Sequence, residues 1–191
     1  MDLQTLWNRQ LDYQVRLSGE KEAEYLRELP AFQKARRVLE VGTGNGAFLV
    51  SLASGSLTRE FHGIDLSSEM IKTARRRSEK LDNVSFSKGD LFDLNVESTG
   101  KFDLVIARLV VQHISDLDRF LKTVSSFLTP NGTLVIAEAD DDGIYLEPHL
   151  EEVEAVLTMA RRKQPKGGPK RALRLLRKIA PEYGFEVENQ E

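Results

Sequence analysis

The 191-residue chain is 40% hydrophobic and carries 27 basic against 30 acidic residues, for a formal net charge of -3. That length fills one core, and the near balance of charge supplies no general attraction to nucleic acid or to an anionic membrane. The chain has no cysteine, which excludes disulfides, thiolate nucleophiles and cysteine-ligated metals.

The chain opens with two apolar-periodic stretches, Leu3 to Leu17 and Glu20 to Leu29, separated by Ser18 and Gly19 and closed by Pro30. This pattern predicts two helices over residues 1–30. The opening MDLQTLWNRQLDYQ lacks the apolar centre of a signal peptide, and no run is long enough to span a bilayer, so a cytoplasmic protein is expected. From Arg36 the pattern changes. RVLEV reads as a buried strand, a glycine-rich turn follows, and AFLVSLAS reads as a helix. The alternation continues through the strand FHGID, the helix SSEMIKTARRRSEK, the strands VSFSKGD and FDLVIA, the helix DLDRFLKTVSSFL and the strand TLVIAEA. Five apolar strands alternating with helices predict an α/β fold, a doubly wound, Rossmann-like and mostly parallel sheet with helices on both faces. Beyond Ala139 come three aspartates, a helix expected over 147–163, the basic loop QPKGGPK, a helix from about Arg171 to Ala180, and the strand-like GFEVE. No repeat or second domain is read. One domain over 1–191 is expected, with a helical lid over 1–30, a binding core over 36–139 and a helical remainder with one short strand over 140–191.

The motif richest in chemistry is VLEVGTGNG, which sets Gly42, Gly44 and Gly46 between a strand and a helix and puts Glu40 just before them. Glycine permits positive φ and close approach of backbone to a ligand, and amides at a helix start point toward an anion or a polar group. A glycine turn can also be purely structural. Asp65 ends the second strand about twenty residues later, at the spacing where an acid accepts bonds from ribose hydroxyls. Either Asp65 or Ser67 can instead cap the next helix, and both roles are compatible. Asp90 follows the third strand, so three successive strand ends carry carboxylates at the edge where open parallel sheets bind ligands.

Four segments in order, VLEVGTGNG, GIDLSSEM, SKGDLFDL, and FDLVIARLVVQHI with LTPNGTLVIAE, resemble the class I S-adenosylmethionine-dependent methyltransferases, in particular their small-molecule branch. The resemblance covers roughly Arg36 to Ala139. It implies S-adenosylmethionine as cofactor and S-adenosylhomocysteine as product. By the same resemblance, Gly42, Thr43 and Gly44 line the methionine and ribose portion, and Glu40 orients the loop or the amino group. Asp65 holds the ribose hydroxyls, Leu66 and Met70 pack on adenine, Asp90 accepts from its exocyclic amine, and the Leu91 amide meets a ring nitrogen. Ala107 and Arg108 flank the methionine moiety. Arg108 departs from the asparagine, serine or small residue common in the family, and either a cofactor carboxylate or a structural salt bridge accounts for it. A nicotinamide-dependent oxidoreductase and a catalytically silent binding protein are the rival readings.

Methyl transfer asks the protein mainly to align an acceptor, with a base where that acceptor must lose a proton. His113 is the candidate base, and a structural hydrogen-bonding histidine is the alternative. The Asp140 to Asp142 run reads as solvated carboxylates, and no metal is expected. The basic stretch from Arg161 to Lys178 lacks interleaved aromatics, so it reads as a solvated face and nucleic acid is not expected. A small-molecule acceptor is. Trp7 and Tyr13 lie on the opening helices, which cover the cofactor in similar enzymes or simply pack. The family sheet has seven strands, whereas this chain supplies material for six at most. The fifth strand is therefore expected to be covered by GFEVE, by a second subunit in a homodimer, or by a C-terminal segment of a longer protein.

Overall fold

In the computed structural model the described residues are 3–138 and 172–188. They form five parallel strands: β1 (Arg37–Val41), β2 (Glu60–Asp65), β3 (Val84–Lys88), β4 (Phe102–Arg108) and β5 (Leu128–Ala137). Their order across the sheet is β3-β2-β1-β4-β5. The order reverses between β1 and β4, where Val41 lies beside Ala107. A crevice opens at that point in a doubly wound sheet because the helices on either side of it diverge to opposite faces.

The helices are α1 (Leu3–Gln14), α2 (Glu20–Glu28), α3 (Pro30–Lys34), α4 (Ala47–Ala53), α5 (Ser68–Arg77), α6 (Val96–Thr99), α7 (Leu117–Phe127) and α8 (Ala172–Ile179). Local chemistry sets their starts. Ser67 accepts the Met70 amide, Asp116 accepts the Arg119 amide at 2.9 Å, and Pro30 occupies the first turn of α3, where its missing N–H costs nothing. Spacing sets their buried faces. Helix α7 buries Leu117, Phe120, Leu121, Val124 and Phe127, the one-sided stripe of an amphipathic helix on a sheet.

The sheet separates two cores. One contains Leu39, Ile64, Val105, Phe120, Val124 and Leu176, and the other contains Val38, Phe48, Leu52, Phe61, Phe86 and Ile106. Neighbouring residues of one strand enter opposite cores, which is why the strands read as continuous apolar runs.

Three expectations need correction. The first two helices are not separated at Ser18 and Gly19: a π-helical turn, Val15–Gly19, joins α1 to α2 with Gly19 still in right-handed helical geometry. Gly19 is buried, and a Cβ there would meet the Val15 side chain at 3.2 Å, so this glycine serves close packing and does not break the helix. GFEVE is not a strand: after the 3-10 turn Ala180–Tyr183, Gly184 takes φ 82° and residues 185–188 pair with no strand. Glycine at that φ terminates a helical turn and turns the chain out of it. Strand β5 begins earlier than TLVIAEA, since Leu128 pairs with Phe102 and the ladder resumes at Leu104 and Thr133 after an irregularity in which Asn131 has φ 65°. Among the described residues β5 is bonded only to β4 and forms an edge. The Asp140 to Asp142 run, the helix expected over 147–163, QPKGGPK and the Arg161 to Arg171 part of the basic stretch lie outside the described residues.

Gly63 of β2 packs where no side chain fits, since a Cβ would lie 2.5 Å from Phe86 Cδ1 and 2.8 Å from Thr43 Oγ1. Phe86 is buried in the core and cannot swing outward. Gly63→Ala is therefore expected to lower the free energy of unfolding by about 2 kcal/mol, the usual cost of overpacking, measured by urea denaturation; an unchanged midpoint would show that the ring yields.

Candidate functional site

The glycine turn joins β1 to α4, and its three glycines take φ of 67°, 55° and 72° at Gly42, Gly44 and Gly46. Side chains are strained in that region, so the turn requires glycine on backbone grounds. Packing adds a second reason at all three, since a Cβ at Gly46 would lie 2.7 Å from Phe86 and 2.8 Å from Ala74. A Cβ at Gly42 would meet Val110 at 2.5 Å, and one at Gly44 would meet Leu11 of α1 at 2.9 Å.

Asp65 anchors this turn. Its Oδ2 accepts the Gly44 amide at 2.9 Å and its Oδ1 accepts the Ser67 amide at 2.8 Å, so one carboxylate ties the glycine turn to the end of β2. The Thr43 amide also donates to the Ile64 carbonyl at 2.9 Å, which extends the β1–β2 ladder into the turn. Of Asp65 and Ser67, it is Ser67 that caps α5, accepting the Met70 amide at 3.3 Å.

Glu40 lies beneath the turn, 3% exposed, and accepts a short hydrogen bond from the Thr43 hydroxyl. Burial pushes its carboxyl up to about 7, against the Thr43 bond and the positive charge of Arg108, while the Asp65 charge adds to the rise. Arg108, at the end of β4, is nearly buried. It pairs with Glu22 of α2 through two contacts, Nε to Oε2 at 2.5 Å and a terminal nitrogen to Oε1 at 3.3 Å, and its guanidinium lies 4.9 Å over the Phe48 ring. The structural salt bridge expected as one account of Arg108 is present.

At the third strand end, Asp90 accepts the Phe92 amide at 2.9 Å and caps a short 3-10 turn that buries Leu91. Leu66 is 66% exposed beside Asp65, whereas Met70 is buried. Ala107 is buried within β4. His113 is exposed in the 3-10 turn Val111–His113 that follows β4, next to Gln112, whose amide donates to Glu138 at 3.2 Å. The structure thus brings Glu40, Gly42, Thr43, Gly44, Asp65, Ala107 and Arg108 together around the β1–β4 crevice. Leu66, Asp90 and Leu91 extend along the same sheet edge, and His113 stands past β4.

Several site residues escaped the sequence reading. Asn45, 1% exposed, donates to the Asn8 carbonyl at 3.3 Å and to Asp12 at 3.0 Å, and Asp12 also pairs with Arg77 of α5 at 2.9 Å. With Leu11 and Glu22, these contacts fix α1 and α2 over the glycine turn. The only signal in the sequence was polar residues on the apolar-periodic helices. Trp7 and Tyr13 are 46% and 55% exposed, so neither is a core residue. A separate cleft of about 330 Å³, lined by Arg37, His62, Ser85, Ser87 and Thr99, lies toward the amino ends of the strands. There His62 bridges the hydroxyls of Ser85 and Ser87 at 2.8 and 2.9 Å, a cross-strand polar ladder remote from the turn. Among the described residues no His, Cys, Asp or Glu cluster is placed to hold a metal, and no helix is long and apolar enough to cross a membrane.

Fold and site together define a Rossmann-like nucleotide-binding domain whose strand ends present carboxylates around a glycine turn. A family model described as a methyltransferase domain matches residues 32–178, and the chain belongs to that family. An uncharacterized 37.1 kDa protein in transposon TN4556 of Streptomyces fradiae is 34% identical over 151 residues, which is 78% of this chain and 43% of that protein. The ubiquinone biosynthesis O-methyltransferase of Xanthomonas campestris is 35% identical over 102 residues, 53% of this chain and 42% of that enzyme. The chain thus spans less than half the length of these relatives. Among solved structures, an O-methyltransferase family protein from Burkholderia thailandensis aligns with a TM-score of 0.69 at 20% identity, over 94% of this chain and 54% of that one. Human N-acetylserotonin methyltransferase in complex with SAM aligns at 0.66 and 19%, over 92% and 48%. These two share the fold. The family assignment decides against the oxidoreductase reading of the glycine turn.

The raised Glu40 carboxyl has a measurable consequence. Its folded-state value of about 7 exceeds the ordinary 4.5, so its contribution to stability is full below the ordinary value and is lost as pH rises through the folded one. Glu40→Gln removes this titration. The stability of the wild type relative to Glu40→Gln is expected to fall by about 2 kcal/mol between about pH 5.5 and about pH 8, read from paired urea titrations. A difference that stays constant with pH would mean that Glu40 ionises normally.

Proposed function

We propose that this domain binds S-adenosylmethionine across the glycine turn and transfers its methyl group to a small-molecule acceptor, releasing S-adenosylhomocysteine. The observation that carries this reading is the set of carboxylates at the ends of β1, β2 and β3, on one edge of the sheet in a methyltransferase-family fold. The rest follows from what each group can still do. A carboxylate accepts about four hydrogen bonds. Asp65 spends two on the Gly44 and Ser67 amides and keeps capacity for the two hydroxyls of a ribose. Leu66 offers an exposed apolar surface to an adenine ring, with Met70 beneath, and Asp90 and the Leu91 amide stand at the far end to meet its polar edge. Gly42, Thr43 and Gly44 give backbone close approach to the methionine portion, beside Ala107. Glu40 orients the turn through Thr43, and its ionised form favours a nearby ammonium group.

The bound cofactor supplies an activated methyl group on a sulfonium. The chain's own task is to hold the acceptor in line with that carbon and to exclude water, which alignment alone can accelerate greatly. The helical lid formed by α1 and α2 covers the turn from one side. His113, exposed beyond β4, is the residue we assign to take the proton that an oxygen or nitrogen acceptor must lose. The Xanthomonas relative is named an O-methyltransferase, and its similarity covers about half of this chain. A hydroxyl acceptor is therefore the reading carried over from it. A cysteine-free chain with a near-neutral charge suits a cytoplasmic metabolite enzyme.

Calorimetric titration with S-adenosylmethionine is expected to give saturable heat for the wild type and at least about a 30-fold weaker affinity for Asp65→Ala, as expected for loss of a charge-assisted bonding group. The absence of heat with the wild type would remove the cofactor assignment. Transfer of labelled methyl to hydroxylated aromatic metabolites then tests turnover, and binding without transfer would favour the catalytically silent reading.

A further inference from the structure

The Glu22–Arg108 pair crosses from the lid to the sheet at the one point where a near-buried cation approaches a buried carboxyl. The Arg108 side chain is 7% exposed and the Glu22 side chain 33%, so the pair is shielded on the sheet side and wetted on the lid side. Arg108 engages both oxygens of Glu22, so that carboxylate is held at two points. Burial raises the Glu22 carboxyl, but the bonds from Arg108 and Ser18, together with the Arg108 charge, outweigh burial and leave it below the ordinary value. Glu22 therefore stays charged when Glu40 changes state. Around Glu40 the ionised or polar groups are Thr43 in the turn, Arg108 on β4 and Asp65 on β2, and α2 contributes Glu22 behind Arg108.

One guanidinium thus serves two carboxyl groups on different elements: Arg108 follows by two residues Ile106, the strand partner of Glu40, so the two side chains leave the same face of the sheet. The guanidinium grips Glu22 with two contacts and acts on Glu40 through its charge. A cation engaged by one carboxylate exerts a smaller net field on a second.

We propose that Glu22 is a positioning residue of the cofactor site, holding Arg108 under the lid so that closure of α2 withdraws positive charge from Glu40 and leaves that carboxyl to be matched by the cation of the bound cofactor. With the lid engaged, Arg108 is spoken for by Glu22 and Glu40 holds its proton more tightly. With Glu22 absent or withdrawn, Arg108 turns its full charge on Glu40 and favours the carboxylate. The lid residue therefore sets the pH range in which the site accepts a cationic ligand, although Glu22 itself touches no reacting atom. This inference rests on the reading that the site takes S-adenosylmethionine.

The test separates the two. In ligand-free protein labelled with ¹³C at glutamate side-chain carboxyls, the Glu40 resonance is identified by its loss in Glu40→Gln and followed from about pH 5 to about pH 9, bracketing the carboxyl range. Glu22→Gln is expected to lower the Glu40 midpoint. Arg108→Gln is expected to raise it by about one unit, the scale on which a neighbouring opposite charge acts. The double variant is expected to match Arg108→Gln. Where Arg108→Gln does not fold, Arg108→Met, which keeps the stem over Phe48, takes its place. A downward shift by Glu22→Gln that persists on the Arg108-substituted background would mean that the lid merely excludes water, and that result, or unmoved midpoints, overturns the proposal. Calorimetry with S-adenosylhomocysteine on the same proteins adds a functional readout: the ratio of wild-type to Glu22→Gln affinity changes with pH if the relay operates and is flat if it does not. Absence of any heat from wild type with either nucleoside overturns the cofactor reading and leaves the carboxyl titration to decide the relay.

Discussion

The Asp65 carboxylate is the constraint on which the site depends. A turn with three positive-φ glycines has little intrinsic preference for one shape, because glycine loses more conformational freedom on ordering than any other residue. Here Asp65 fixes it by accepting the Gly44 amide on one oxygen and the Ser67 amide on the other. The end of β1, the start of α4, the end of β2 and the cap of α5 thereby become one rigid unit. Every other site group is placed relative to that unit: Glu40 below it, Ala107 and Arg108 beside it across the sheet, and Leu66 and Asp90 along its edge.

Helices α1 and α2 are attached to the same unit by two unlike connections. At α1 the contact is packing and a side-chain hydrogen-bond network, with Leu11 over Gly44, Asn45 reaching the Asn8 carbonyl and the Asp12 carboxylate, and Asp12 pairing with Arg77 of α5 near the surface. At α2 it is a part-buried ion pair, Glu22 with the nearly buried Arg108. Burying charges costs several kcal/mol per ion before pairing, so such a pair adds little net stability compared with an apolar contact. What it provides is orientation. The π-helical turn between the two helices shifts the register so that the Asn8, Leu11 and Asp12 face and the Glu22 face can both meet the sheet.

The same physics explains which residues could be assigned from pattern. Glycine in a strand-to-helix turn, and carboxylates ending successive apolar strands, carry their reasons with them, and VLEVGTGNG, Asp65 and Asp90 could be read for that reason. The double role at GIDLSS, with Asp65 tying the turn and Ser67 capping α5, was likewise open to reading, since both are local hydrogen bonds within a few residues. Glu22, Asn45 and Asp12 were not legible. Their partners lie between 33 and 86 positions away in sequence, and nothing about a glutamate on an amphipathic helix announces which cation it will meet.

The sequence by itself determined the alternation of five apolar strands with helices, hence a parallel doubly wound sheet, because burial on both faces and the period of each helix are local properties. It also determined that the glycine turn and the acidic strand ends share one edge, since parallel strands all point their carboxyl ends the same way. Only the tertiary structure decided that residues 15–19 continue the helix as a π turn, that residues 185–188 form no strand, and that Arg108 is claimed by Glu22 of the lid. Those outcomes depend on packing space and on long-range charge pairing, which exist only once distant segments are brought together.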